Sequence, residues 1–216
     1  TPYTNCGTIV SFPKIGEDNE LFKGLSLQEI DDEFQKVKPK YLPMPTGVGF
    51  CMGMSKKAIS DVGYLDAESF GMGYAEENDW CQRAIQKGYK NVHVENLFVY
   101  HNHGGSFLSE DKKRYLKEHE VILDKKHPDY KRQVERFFAI DDNKEIRRIV
   151  KYLLLRKCKA EGTIVAFDHD LGGGATSYLV QKRHKLIEEG YVFYVLKYNY
   201  VQGYYQLLFQ YGNDKA

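Results

Sequence analysis

Gly71-Met72-Gly73-Tyr74-Ala75-Glu76-Glu77-Asn78-Asp79-Trp80-Cys81-Gln82-Arg83-Ala84 runs from a glycine-broken loop into three carboxylates within four residues, then an indole, then an amphipathic segment. The spacing predicts a helix from about Glu76 to Lys87, closed by Gly88. Acids in a first helical turn offset the dipole and the unpaired amides, and Asp79 with Arg83 forms an i,i+4 pair. Helix electrostatics accounts for one or two acids; it accounts less well for the preceding glycine loop and the adjoining Trp80. Carboxylates gathered at a loop–helix junction beside an aromatic suit the holding and deprotonation of a sugar hydroxyl. On the helix Glu76, Asp79 and Arg83 share a face, and Trp80, Cys81, Ala84 and Ile85 form the apolar side. Glu77 lies apart from the Asp79–Arg83 pair, positioned to face a cleft.

Upstream, Gly7–Phe12 reads as a short strand stopped by Pro13. Ser26 with Glu29 makes a capping box for a helix over Ser26–Lys38, with Leu27, Ile30, Phe34 and Val37 at helical spacing. Pro39, Pro43 and Pro45 force an extended connection. Gly47–Met54 reads as a buried strand whose glycines admit a close neighbour. A short helix, Lys56–Val62, ends at Gly63. Val92–Tyr100 is strand-like and is broken at His101-Asn102-His103-Gly104-Gly105.

From Ser109 to Lys159 the pattern is helical and polar. Residues 110–159 carry 16 Lys/Arg against 10 Asp/Glu, which makes a solvated set of helices or a basic face lying on anionic lipid headgroups. At Gly162 the texture changes. Thr163–Phe167 is an apolar strand, Asp168-His169-Asp170-Leu171-Gly172-Gly173-Gly174 a glycine-rich turn, Thr176–Glu189 a helix, Tyr191–Leu196 a second strand and Gly203–Tyr211 a third. This β-loop-α-β order opens a doubly wound unit, and about 55 residues do not complete one.

Composition sets the outer limits. The chain has 216 residues, 42% hydrophobic and 28% charged, within the ordinary globular range. Its 31 basic and 30 acidic residues name no partner and give no ground for nucleic acid as one. The cysteines, Cys6, Cys51, Cys81 and Cys158, form no CxxC motif and read as free thiols of a reducing, cytoplasmic compartment. No apolar run approaches the ~20 residues that span a bilayer. A beginning at Thr1 within ordinary sequence reads as part of a longer protein.

Several blocks recur in order: Gly47-Val48-Gly49-Phe50-Cys51-Met52, Val62-Gly63-Tyr64-Leu65-Asp66, Phe70 through Ala84, Gly88-Tyr89 and Val99-Tyr100-His101. Together they resemble the C-terminal, acceptor-side half of a family 2 glycosyltransferase of the GT-A fold, over roughly residues 1–107. The resemblance implies inverting transfer of a sugar from a nucleotide-sugar donor to a glycan acceptor hydroxyl, in bacterial-type polysaccharide or glycoconjugate assembly. It implies Glu77 as general base, a Glu where the family often has Asp, with Asp79 as the alternative base. It places Trp80, Glu76 and Gly49 at the acceptor, plain core packing being the other reading of Trp80. It implies His101 as a ligand of a catalytic divalent metal, Mn²⁺ or Mg²⁺; a histidine ending a strand is also commonly structural. His103 is a weaker candidate.

The family's metal-holding Asp-x-Asp precedes the acidic helix, and nothing upstream of Glu76 fits it. Asp168-His169-Asp170 spells the motif but lies downstream, before glycines. That stretch resembles the first β-loop-α of a GT-B glycosyltransferase domain or another Rossmann-like start, with Gly172, Gly173 and Gly174 bordering a phosphate-bearing ligand. The expectation is an α/β chain in three parts: half a GT-A domain (1–107), a basic helical linker (108–160) with peripheral membrane contact, and a truncated Rossmann-like unit (161–216). Half a sheet exposes apolar surface, so self-association is expected. Two other classes stand beside this one. A non-catalytic glycan-binding module would use Trp80 and the tyrosines; a metal hydrolase on His101 and His103 lacks an adequate ligand set.

Overall fold

The Ser26 hydroxyl accepts the Glu29 N–H, and the Ser26 N–H donates to the Glu29 carboxylate at 2.8 Å. This reciprocal cap opens α1 (Leu27–Gln35), which buries Ile30, Glu33 and Phe34. The computed structural model describes all residues except 72, 103–108, 159–160 and 211–216, and in 109–114, 187–188 and 208–210 the backbone alone. Around α1 the order is β1 (Pro2–Tyr3), β2 (Pro43–Met44), α2 (Lys56–Val62), α3 (Ala67–Phe70), α4 (Glu76–Gln86), β3 (Asn91–Val92) and β4 (Val94–Phe98). Then follow α5 (Ser109–Lys126), α6 (Tyr130–Ile140), α7 (Lys144–Lys157), β5 (Thr163–His169), α8 (Gly174–Glu188), β6 (Val192–Asn199) and β7 (Tyr204–Gln210). The chain is mixed α/β, with eight helices among the described residues, and none of them is long and apolar enough to cross a membrane.

The chain forms two compact units, Thr1–Leu21 with Ser26–Lys151, and Phe22–Leu25 with Tyr152–Ala216. In the first, β1 runs parallel to β4, and β2 antiparallel to β3. An aromatic cluster holds α1 against this framework: Phe34 lies 4.9 Å from Tyr3, 4.7 Å from Phe12 and, stacked, 5.6 Å from Phe98. Ile9, Val10 and Met44 pack with Val134, Phe137 and Phe138 of α6. The stretch expected as a linker is therefore divided: α5, α6 and α7 as far as Lys151 belong to the first unit.

Two expected strands are turns. Over 7–12 the polar side chains outcompete a ladder: Ser11 Oγ accepts the Thr8 N–H at 2.7 Å and lies 2.5 Å from the Cys6 carbonyl. Only a bridge between Thr4 and Ser11 is left of the expected pairing there. In 47–54 the chain makes a 3₁₀ turn at Gly49–Cys51. A Cβ at Gly47 would stand 2.5 Å from Met52 Sδ and 2.9 Å from Thr1 Oγ1, so the glycine serves a close approach within the turn.

In the second unit β5 and β6 pair in parallel through α8, the crossover expected from the sequence. β7 returns antiparallel to β6, giving the order β5-β6-β7. Phe193 and Val195 are buried, while Val165, Phe167, Tyr205 and Leu207 stay exposed.

Candidate functional site

The glycine loop before α4 is bent by a run of left-handed residues. Gly71 and Gly73 have φ of 58° and 132°, which glycine adopts without steric cost. Tyr74 and Ala75 follow at 68° and 75°; for side-chain-bearing residues such conformations cost roughly 1–3 kcal/mol each and cluster at functional sites. Ala75 is the N-cap and contributes no side-chain bond, so the first amides of α4 are left to the acids behind it.

Glu77 uses that opening. A Cβ on Gly49 would lie 3.6 Å from the Glu77 carboxyl carbon, so the 3₁₀ turn rests on the carboxylate through its glycine. Burial, then the neighbouring Glu76 charge, pushes the Glu77 carboxyl above its ordinary pKa, against the backbone N–H groups of Glu77, Gly49 and Asn78. Glu77 is itself only half-buried, so desolvation is centred on the carboxyl group and an approach remains. Oε2 of Glu76 is buried and has no hydrogen-bond partner among the described residues. Glu77 thus meets Gly49, with the Glu76 charge beside it.

Asp79 does not share this role. It is fully buried; Arg83 Nε donates to Oδ2 at 2.7 Å, and His127 Nε2 donates to Oδ1 at 2.8 Å, with Lys126 Nζ 3.3 Å away. Burial alone would raise its pKa, but the bonds from His127 and Arg83 outweigh it and hold the carboxyl below its usual value. A base must reach a hydroxyl at about 2.6–3.2 Å, and a carboxylate enclosed by three cationic or N–H donors does not. The expected alternative base is a structural ion-pair centre.

Trp80 is core. Its indole N–H donates to the Gly63 carbonyl at 2.7 Å, and its ring packs with Ala58, Cys81 and Ala84. It walls a cleft of about 290 Å³ with Met52, Met54 and Tyr89, and Glu77 does not line that cleft.

His101 is held by its neighbours. The Asn5 amide clasps its backbone, accepting the His101 N–H at 2.8 Å and donating to its carbonyl at 3.1 Å. Cys6 Sγ lies 2.9 Å from Nδ1, and Phe50 stacks on the imidazole at 5.1 Å. Phe50 follows Gly49, so one 3₁₀ turn touches both Glu77 and His101. The imidazole Nδ1 faces the Cys6 thiol, and no group of three or more His, Cys, Asp or Glu side chains among the described residues is arranged to hold an ion. His103 lies outside the described residues.

In the second unit Gly172 and Gly173 take φ of 72° and 109°, and Gly174 begins α8. The acids before them are engaged: Asp168 Oδ1 accepts the Thr176 hydroxyl at 2.9 Å, and the Asp170 carboxylate accepts the Tyr200 N–H at 3.1 Å.

Helix α5 brings residues that the sequence reading passed over. His119 Nδ1 donates to the Tyr74 carbonyl at 2.8 Å. Lys126 bonds to Asp66 and lies over the Phe70 ring at 5.3 Å. His119, Leu123, Lys126 and His127 recur at i, i+4, i+7 and i+8, one helical face, and that spacing was the available signal.

The chain matches no protein-family model, no curated protein and no solved structure.

Proposed function

We propose that this chain is part of an inverting glycosyltransferase, the acceptor side of a GT-A-type catalytic domain, with Glu77 as general base. The observation that carries the reading is the desolvated Glu77 carboxyl, seated on Gly49 and raised in pKa beside Glu76. Catalytic bases are tuned toward the working pH by such surroundings, while Asp79 is locked away in an ion-pair network. In the proposed step a Glu77 oxygen takes the proton of the acceptor hydroxyl, and the hydroxyl oxygen forms the new bond to the anomeric carbon. The bond from that carbon to the diphosphate oxygen breaks, and the nucleoside diphosphate leaves with inversion. The resemblance implies His101 as one ligand of a divalent metal and gives the family's Asp-x-Asp no counterpart upstream of Glu76; the step is drawn from Glu77 alone. The β5–α8–β6 unit, with its glycine turn, is proposed as the opening of a second, Rossmann-like domain.

The test is transfer from a panel of UDP-, GDP- and dTDP-sugars by a longer protein containing this chain, with Glu77→Gln as the variant. Loss of turnover by 100-fold or more, roughly the worth of a general base, is the expected result. Unchanged turnover removes Glu77 from the chemistry.

A further inference from the structure

Helix α5 meets the candidate base only indirectly, through the loop that delivers it. Tyr74 and Ala75 both sit at positive φ with side chains present, a geometry that persists where surrounding contacts over-determine it. The Tyr74 carbonyl is bonded by His119 Nδ1 at 2.8 Å. His119 is itself buried, its ring edge-on to Phe70 at 5.6 Å and tilted over Tyr115 at 5.7 Å. The next residue, Ala75, supplies the carbonyl that takes the first α4 hydrogen bond, from the Asp79 N–H at 2.9 Å. Two turns along the same face of α5, Lys126 and His127 grip Asp79, and Lys126 also grips Asp66. The loop and the first turn of α4 are therefore pinned to one helix on both sides of Glu76 and Glu77.

We propose that His119 is a positioning residue: its Nδ1–H bond to the Tyr74 carbonyl holds the left-handed Tyr74–Ala75 turn and so sets where the Glu77 carboxylate stands against Gly49. The inference rests on the reading of Glu77 as base, yet its first consequence can be measured without catalysis. If the turn relaxes, Glu77 leaves its desolvated seat, and its ionisation returns toward that of an ordinary carboxylate.

The experiment follows the Glu77 side-chain carboxyl of the 216-residue chain by carbon NMR as pH is varied, in wild type, His119→Phe and His119→Asn. Phenylalanine keeps the ring packing and removes the donor; asparagine keeps an N–H near the position of Nδ1. The expected result is a titration midpoint lower in H119F than in wild type and restored in H119N, in chains that unfold cooperatively. An unchanged midpoint in folded H119F overturns the inference. Where H119F does not fold, His119→Leu, which fills apolar space and has no donor, carries the same comparison: a lowered midpoint supports the inference and an unchanged one overturns it. In the longer protein, H119F is expected to lower kcat about tenfold with KM for the donor sugar unchanged. Loss of turnover in E77Q with full kcat in H119F defeats the positioning role alone. Full turnover in E77Q defeats the function while leaving the titration result standing.

Discussion

Glu77 and Asp79 lie two positions apart, and their surroundings push them in opposite directions. The Glu77 carboxyl is raised by burial and by Glu76, so the folded state holds its proton more tightly than the unfolded chain. Stability from this group is full below the unfolded pKa and falls as pH rises through the folded value. At neutral pH the desolvated Glu77 carboxyl is thus a cost, and E77Q should stabilise the chain by about 1 kcal/mol. Urea unfolding at pH 7 measures the effect. Asp79 is held below its usual pKa. Its stabilisation is present above the unfolded value and is lost as pH falls through the folded one. Asp79→Asn breaks a buried pair with Arg83 and His127, and the expected loss is about 3 kcal/mol. Urea unfolding repeated at falling pH shows it, since the difference between wild type and D79N should shrink in acid.

At the scale of the element, helices were legible because their signals are local. Ser26 with Glu29 and Gly63 after Val62 mark ends where a side chain or glycine completes nearby backbone groups, and the structure places α1 and α2 there. The expected strands at 7–12 and 47–54 failed for the complementary reason. A strand needs a partner, and short polar residues or glycines in those segments close turns within the chain before any ladder forms. The loop entering α4 belongs to neither group. Its glycines announce a bend, but Tyr74 and Ala75 carry positive φ where a sequence gives no warning. Ala75→Gly removes one strained Cβ and should raise stability by about 1 kcal/mol, the unfolded-state entropy of glycine partly offsetting the relief. A shift of the urea midpoint to higher concentration at unchanged slope is the expected observation.

For the whole molecule, the division into two units falls within α7, between Lys151 and Tyr152. The sequence marks a change near Gly162, where apolar strand texture begins, but it does not reveal that the basic helices before it pack with the first unit. Charge counts describe the outside of those helices; Val134, Phe137 and Phe138 of α6 make the inside. In the second unit, Phe167 is 71% exposed and Val165 54%, and register places Phe167 level with Leu196 and Leu207. An apolar sheet face of this kind favours association. The chain is expected to sediment with a concentration-dependent coefficient, and Phe167→Lys should bring it to a single monomeric one. A wild-type coefficient that stays monomeric at high concentration removes this expectation.

The sequence by itself determined the cap of α1, the span of α2, the β-loop-α-β order after Gly162 and the gathering of carboxylates at the start of α4, because each follows from spacing and from residues a few positions apart. Only the tertiary structure decided what those carboxylates are. Glu77 is desolvated by a glycine turn from residues 49–51, and Asp79 is saturated by Arg83, by Lys126 at the end of α5 and by His127 just after it. Reach and proton affinity depend on the dielectric and the donors around a group. Those surroundings arrive from distant parts of the chain, which the motif does not contain.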